Sequence, residues 1–362
     1  MDSETSHPAN PNYKKGQSID AVITWVDGSD PKLAQKRRET LAKYGSVINQ
    51  PVNSSTEVPV SEVATGRDTT RFIDNNELFF CIRSIRTFAP WVRRIFVVTD
   101  DQTPSFITPE YQKENRVEII DHREIFSSYE WALPTFNTRT IETALWRIPG
   151  LAPRFIYFND DFMLTQPLTP EDFFTESSVV IRGRWNRIIQ YGPIRMKASD
   201  LLTWFARRFL GITRTMHLLL QMYSAKLAGC KKRYFRVPHV PHPVQTKTLQ
   251  NFFEQNPDLF EQNIRYRIRN TAQFSAIFLA HHLEIMNENA VLERANNQLM
   301  LNGEMDRPRS LRSKLRQLES GNIKFACLHA FDQFSKNEQS EIKKTINGMF
   351  EREECEHKRH SP

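Results

Sequence analysis

The 362-residue chain has only 12 glycines, and none of them forms a Gly-x-Gly-x-x-Gly or Gly-x-x-x-x-Gly-Lys-Ser/Thr run. Such loops bring backbone N–H groups against phosphates at the start of a helix. Their absence argues against a P-loop ATPase and a dinucleotide-dependent enzyme. Cysteine is scarce too: Cys81, Cys230, Cys327 and Cys355 are scattered, with no pair at metal-ligand spacing. In a chain this long they read as free thiols in a reducing compartment rather than as a disulfide framework. No apolar run reaches the roughly 18–20 residues of a membrane span. The polar start MDSETSHPANPNYKKG lacks the apolar centre of a signal peptide, so the protein is expected to be cytoplasmic. No Ser-His-Asp signature stands out, and there is no internal repeat.

What is present is enough to fold. Hydrophobic residues make up 39 % of the chain and include 25 Phe, which excludes global disorder and fits one large domain or two ordinary ones. Lys and Arg outnumber Asp and Glu by 49 to 42, a formal charge of +7. That excess suits an anionic partner, whether a nucleotide, a phosphate polymer, a membrane surface or a nucleic acid, without choosing among them.

Residues 1–17 are expected to be disordered. IDAVITWV (19–26), RRIFVVTD (93–100), RVEIID (116–121) and RFIYF (154–158) are short apolar runs that read as buried strands. Helices are expected over 30–45, 75–88 and 139–148, with a long polar loop at 46–70. This alternation predicts an α/β core over 18–182, with largely parallel strands. Residues 183–350 read as mainly helical, completing the site, and 351–362 as a frayed charged tail. The helical stretch 201–229 is apolar on one side and basic on the other, so it either lies on an anionic membrane or packs on its own core.

Ligands of open α/β sheets bind at the carboxyl ends of the strands. Here those ends carry Asp27, then Asp100 with Asp101, then Asn159, Asp160 and Asp161. Adjacent carboxylates repel unless a cation joins them, and Mg²⁺ or Mn²⁺ prefers oxygen ligands shared with substrate phosphates. Asn159–Asp161 is therefore the candidate metal site, although a turn with local side-chain hydrogen bonds has the same composition. Asp27 and Asp30 flank a Gly28 turn that equally makes a strand–turn–helix link with a cap. Asp74 and Glu77 have capping-box spacing, while Arg71 and Arg83 could face an anion or solvent. In VPHVPHPV (237–244) the prolines stiffen the backbone around His239 and His242, either of which could act as a general base. Arg265, Arg267 and Arg269 alternate and could clamp phosphate if the segment is extended.

Together these pieces resemble the Stealth family of hexose-1-phosphate transferases. IDAVITWVDGSDP is similar to the family's first conserved region, and RFIDNNELFFCIRSIRTFAPWVRRIFVVTDD with LPTFNTRTIETALWRI and RFIYFNDDFML to its second. VPHVPHPV through RYRIRNTAQF resembles the third. KFACLHAFDQF resembles a decayed fourth, with His329 and Ala330 where the family has Asn-Asp, and Gln273 stands where the third region commonly has an acid. The resemblance implies a Rossmann-like core related to A-type glycosyltransferases. It implies transfer of hexosamine 1-phosphate from a UDP-sugar to an acceptor sugar hydroxyl, forming a phosphodiester and releasing UMP. By matching positions, Asp30, Arg71, Asp74, Asn75, Glu77, Arg83 and Asp100 would bind the donor. Asn159, Asp160 and Asp161 would hold Mg²⁺ or Mn²⁺. Asp27, His239, His242 and Arg269 would act at the reacting phosphate. The implied partners are the nucleotide sugar and a growing capsular polysaccharide, with the inner-membrane surface or other capsule enzymes beside them and no nucleic acid. Two other readings stay open: a metal-dependent glycosyltransferase that releases UDP, and a non-catalytic polyanion-binding protein.

Overall fold

The computed structural model describes residues 18–44, 77–188, 214–270 and 272–360. Its main sheet is built from the four expected strands: β1 (Ile19–Thr24), β2 (Ile95–Thr99), β3 (Val117–Asp121) and β4 (Arg154–Asn159), parallel in the order β3-β2-β1-β4. Their apolar runs are continuous because both faces of the sheet are covered. From β1, Ile19, Ala21 and Ile23 enter one core and Val22 the other, as the two-residue period requires.

The later strands are β5 (Phe162–Leu164), β6 (Val179–Arg187), β7 (Arg233–Arg236), β8 (His242–Gln245), β9 (Ala290–Arg294), β10 (Gln298–Asn302) and β11 (Phe325–His329). Strand β8 lies antiparallel on β4, while β10-β11-β5 and β7-β6-β9 form two further sheets. The helices are α1 (Pro31–Tyr44), α2 (Glu77–Phe88), α3 (Pro109–Asn115), α4 (His122–Ile125), α5 (Thr138–Ala144), α6 (Arg214–Leu227), α7 (Thr246–Gln255), α8 (Pro257–Ile264), α9 (Ala276–Met286), α10 (Pro308–Glu319) and α11 (Lys336–His360). Helix α2, β5, α10 and α11 pack on one side of the main sheet; α5, α7, α8 and α9 pack on the other.

The α/β core is as expected, and helices dominate the second half. That half also supplies strands that the sequence did not reveal, among them β8, which extends the main sheet. The segment expected to fray after residue 350 continues α11 to His360. Helix α5 ends at Ala144 and passes into a single tighter turn over Leu145–Arg147, short of the expected 148. The expectations for residues 1–17, 46–70 and the 201–213 part of the stretch 201–229 lie outside the described residues, as do Arg71, Asp74 and Asn75. No helix of the described residues is long and apolar enough to cross a membrane.

Asp20 fixes the edge of the sheet opposite the strand ends. Its carboxylate is fully buried and accepts from Arg93 Nε at 2.9 Å and Nη2 at 2.6 Å, Arg94 N at 3.2 Å and Ala152 N at 2.8 Å. These bonds tie β1 to the turns that precede β2 and β4. Asp20→Ala would leave all four donors without their acceptor and is expected to lower stability by about 3–5 kcal/mol. Urea unfolding measures it; a loss under about 1 kcal/mol would mean that packing alone joins these turns.

Candidate active site

All four parallel strands end on one edge. Thr24 stands opposite Asn159 and Thr99 opposite Asp121, so the turns after β1, β2 and β4 emerge side by side. Strand β8 runs the other way and begins at this edge, with His242 opposite Tyr157. Asp27, Asp100, Asp160 and the VPHVPHPV segment are thereby brought to the same side of the molecule.

Asp161 is the centre of the arrangement. Its Oδ2 accepts from the Cys327 thiol at 3.2 Å and lies 3.8 Å from His239 Nε2 and 4.0 Å from His329 Nδ1. Its Oδ1 is buried and meets no hydrogen-bond partner. The backbone is held in place because Leu328 N, on β11, donates to Asp161 O at 2.8 Å. Burial pushes the Asp161 carboxyl up, but His239, His329 and the Cys327 thiol outweigh it and hold the group below its ordinary value. The Cys327 thiol moves the other way, well above its usual range, through burial first and then the charges of Asp161 and Asp160. Cys81, on α2, is likewise pushed well up by burial with Asp160 and Asp161.

A second group converges from α5. Ser275 Oγ donates to Glu142 at 2.9 Å, and the Tyr157 hydroxyl lies 3.5 Å from the other carboxylate oxygen. Tyr157 also donates to Asn159 Oδ1 at 2.8 Å and shares a 3.0 Å hydrogen bond with Thr24. Burial pushes the Glu142 carboxyl up to about 7, against Ser275, the Arg139 charge, Tyr157 and the His239 charge. One turn earlier on the same face, Thr138 Oγ1 accepts from Arg269 at 3.2 Å. Gln273 fastens the Arg269 segment to α5: its amide accepts from Asn137 at 2.7 Å and Asn270 N at 3.1 Å and donates to Thr140 at 3.2 Å and Asn263 O at 2.9 Å. Where an acid is common in the resembling motif, this chain therefore has a buried amide using both its donor and its acceptor.

The other expected residues are placed as follows. Asp27 Oδ1 accepts from Ser29 N at 2.8 Å and Ser29 Oγ at 2.6 Å, and its own backbone N donates to Gln102 at 3.0 Å. Asp30 starts α1, accepting from Lys32 N at 2.7 Å. The Gln102 amide, then that N–H, hold its carboxyl below the ordinary value. Asp100 accepts from Lys36 at 3.2 Å through one oxygen, while the other is buried with no hydrogen-bond partner. Glu77 opens α2. Arg83, two positions and about 200° round that helix from Cys81, faces α11, donating to Asn347 at 3.2 Å and Glu354 at 3.0 Å. His242 is buried among Tyr157, Phe162 and Phe278. His239 is half-exposed, edge-on to Phe162 at 4.5 Å.

A divalent cation fits this site. Asp161 Oδ1 is an orphaned, buried anionic oxygen, and Asp160 adds a second carboxylate in the same turn. Asn159 differs from expectation in that its side-chain oxygen is engaged by Tyr157. Ligand atoms of Asp161, His239 and Cys327 also lie within 4.8 Å of one another. The thiol, however, carries its proton and spends it on Asp161 Oδ2, which favours the oxygen side of the cluster.

Residues 17–45 match the model of Stealth conserved region 1, and residues 71–181 that of Stealth conserved region 2. The chain is 30 % identical to the receptor polysaccharide phosphotransferase WefC of Streptococcus oralis, over 70 % of this chain and 74 % of that protein. The chain belongs to the Stealth family. It is also 29 % identical to an exopolysaccharide phosphotransferase of Streptomyces coelicolor, over 73 % of this chain and 25 % of that one. Against three such S. coelicolor relatives it spans only a quarter to about two-fifths of their length. A crystal structure of an active-site mutant of LgtC is similar at 13 % identity and a TM-score of 0.34, over 70 % of this chain and 84 % of that one.

Proposed function

We propose that this Stealth protein transfers a hexosamine 1-phosphate, N-acetylglucosamine 1-phosphate in the first instance, from a UDP-sugar to a hydroxyl of a growing polysaccharide. The observation that carries this reading is the gathering of Asp160, Asp161, His239 and Glu142 near one strand edge, with Arg269 held by Thr138 one turn from Glu142. The core would be of the glycosyltransferase A type. An acceptor oxygen attacks the phosphorus that bears the sugar; a new P–O bond forms, the bond to the bridging oxygen breaks, and UMP leaves. His239 takes the hydroxyl proton. It is half-exposed, and the adjacent Asp161 Oδ2 favours the imidazolium that results. Ionised Glu142 supports the same charge from α5. Arg269 neutralises phosphate oxygens, the main way phosphoryl transfer is accelerated.

Asp160 and the free Oδ1 of Asp161 would hold Mg²⁺ or Mn²⁺, which when bound neutralises the diphosphate. His239→Gln is expected to slow transfer by about 10²–10⁴-fold while metal affinity, read by calorimetry, stays within a few-fold. Loss of metal binding in that variant would make His239 a ligand and not the base. The function as a whole is tested with a panel of nucleotide sugars and a primed acceptor. UMP with a diester signal in ³¹P NMR is the expected result; UDP with a glycosidic product would make the protein a glycosyltransferase.

A further inference from the structure

We infer that the β6–β7 ribbon is a docking track for the phosphodiester-linked sugar chain itself, a subsite that rests on the transferase reading above. Past Gly183, β6 leaves β9 and pairs with β7: Arg184 opposite Arg236, Trp185 opposite Phe235 and Arg187 opposite Arg233. Arg184, Arg187, Lys231, Lys232 and Arg233 are exposed, and no carboxylate pairs with them among the described residues. Trp185 is 40 % exposed beside two of them, Arg187 and Arg233. Residues opposite one another on paired strands share a face, so Trp185, Arg187 and Arg233 point the same way. The indole is not loose: Phe235, buried in the core, meets it edge-on at 5.4 Å, and the Arg233 guanidinium lies 5.7 Å from its centre.

An ordinary solvated charge run neither orders an exposed tryptophan nor gathers cations of one sign on adjacent strands. The pattern suits a ligand that alternates anionic and apolar surface. Guanidinium groups bind phosphate in a fixed geometry, and an indole face takes the apolar C–H face of a pyranose ring. Position supports the same ligand. Strand β7 ends at Arg236, three residues before His239. From Arg236 back to Arg233 the strand spans about 10 Å. A polymer whose end is extended beside His239 would therefore have its earlier phosphates within reach of the ribbon. Single-stranded nucleic acid also combines phosphate with stacking groups, but on the transferase reading it is the growing chain whose end is brought beside His239, within reach of this ribbon.

The test is equilibrium binding of labelled fragments, long and short, of a polysaccharide whose hexosamine units are joined by phosphodiesters. Neutral dextran, single-stranded DNA and vesicles containing phosphatidylglycerol are competitors. Long fragments are expected to bind more tightly than short ones. The Arg187→Gln/Arg233→Gln pair should weaken long-fragment binding about tenfold and lower its salt slope by about one to two. Trp185→Ala should weaken it and Trp185→Phe restore most of it, with melting curves checking that each variant folds. Equal binding of long and short fragments, unchanged binding by the double variant, or ribbon-dependent preference for DNA or vesicles overturns the track. Donor turnover is measured separately. A chain that turns over a nucleotide sugar but fails the binding test loses only the track, and one that binds long fragments without turnover loses the transferase reading and keeps it.

Discussion

Asp161→Asn is expected to remove most turnover and leave the fold in place. The carboxylate has two oxygens in different surroundings. Oδ2 faces His239, His329 and the Cys327 thiol, while Oδ1 is buried and unpartnered. A buried anionic oxygen without a partner is costly, and the cost is offset when a cation lies there. Asparagine keeps the shape but carries no charge. It would neither hold the cation nor favour an imidazolium on His239, and such electrostatic losses slow transfer by about 10²–10³-fold each. Folding should lose only the net stability that the lowered carboxyl contributes, because the change removes the burial penalty together with the contacts. Steady-state transfer, metal titration by calorimetry and thermal melts read the three quantities separately. Asp160→Asn should weaken metal binding as well but spare the contact with His239, so its metal affinity should recover some turnover at high Mn²⁺. Unchanged turnover in both variants would remove the cation from this edge. Asp161 is also held below its ordinary value, so the stability its contacts give is present at neutral pH and is lost as pH falls through that lowered value.

Much of this edge could be read from the chain because strands of a doubly covered sheet have little freedom in composition. IDAVIT, IFVVT, VEIID and RFIYFN are continuous apolar runs, and each ended within two residues of its expected limit. Asp160 and Asp161 stood out for the same reason, since two carboxylates ending a buried strand are hard to explain by packing. Asp27 and Asp30 were legible as turn and cap, and turn and cap bonds are what their side chains make. The smaller sheets were not legible. Strand β5 has three residues, β8 begins inside a proline-rich segment, and β9 is exposed at most positions, so none shows a clean period. Cys327 looked like an isolated thiol because its partner, Asp161, is 166 residues away. Glu142 was missed for a related reason. It sits between Ile141 and Thr143 in the middle of a helix, and its surroundings come from Tyr157 and Ser275, distant in sequence. The available signal was weak: one acid in a short helix of three threonines, an arginine and two apolar residues.

Glu142→Gln is expected to change both the pH dependence of stability and that of catalysis, in opposite senses. In the folded chain burial lifts the Glu142 carboxyl to about 7 from its ordinary value of 4.5. The folded state therefore holds this proton more tightly than the unfolded one. Stability contributed by the protonated form is fully present below the unfolded value and is lost as pH rises toward about 7. The loss across that window is on the order of 2–3 kcal/mol, and the glutamine variant should lack it, melting higher than wild type above pH 7 and with a flatter profile. Catalysis should run the other way. Only ionised Glu142 supports a positive His239, so wild-type kcat/KM should rise through about 7 as this carboxyl loses its proton. The variant should match wild type well below 7, be slower above it and lack that limb, because its amide can hydrogen-bond to Ser275 and Tyr157 but cannot carry charge. A merely structural Glu142 would give the stability difference and leave the shape of the kcat/KM profile unchanged. Stability without the difference, together with an unaltered limb, would place the titrating group elsewhere in the site.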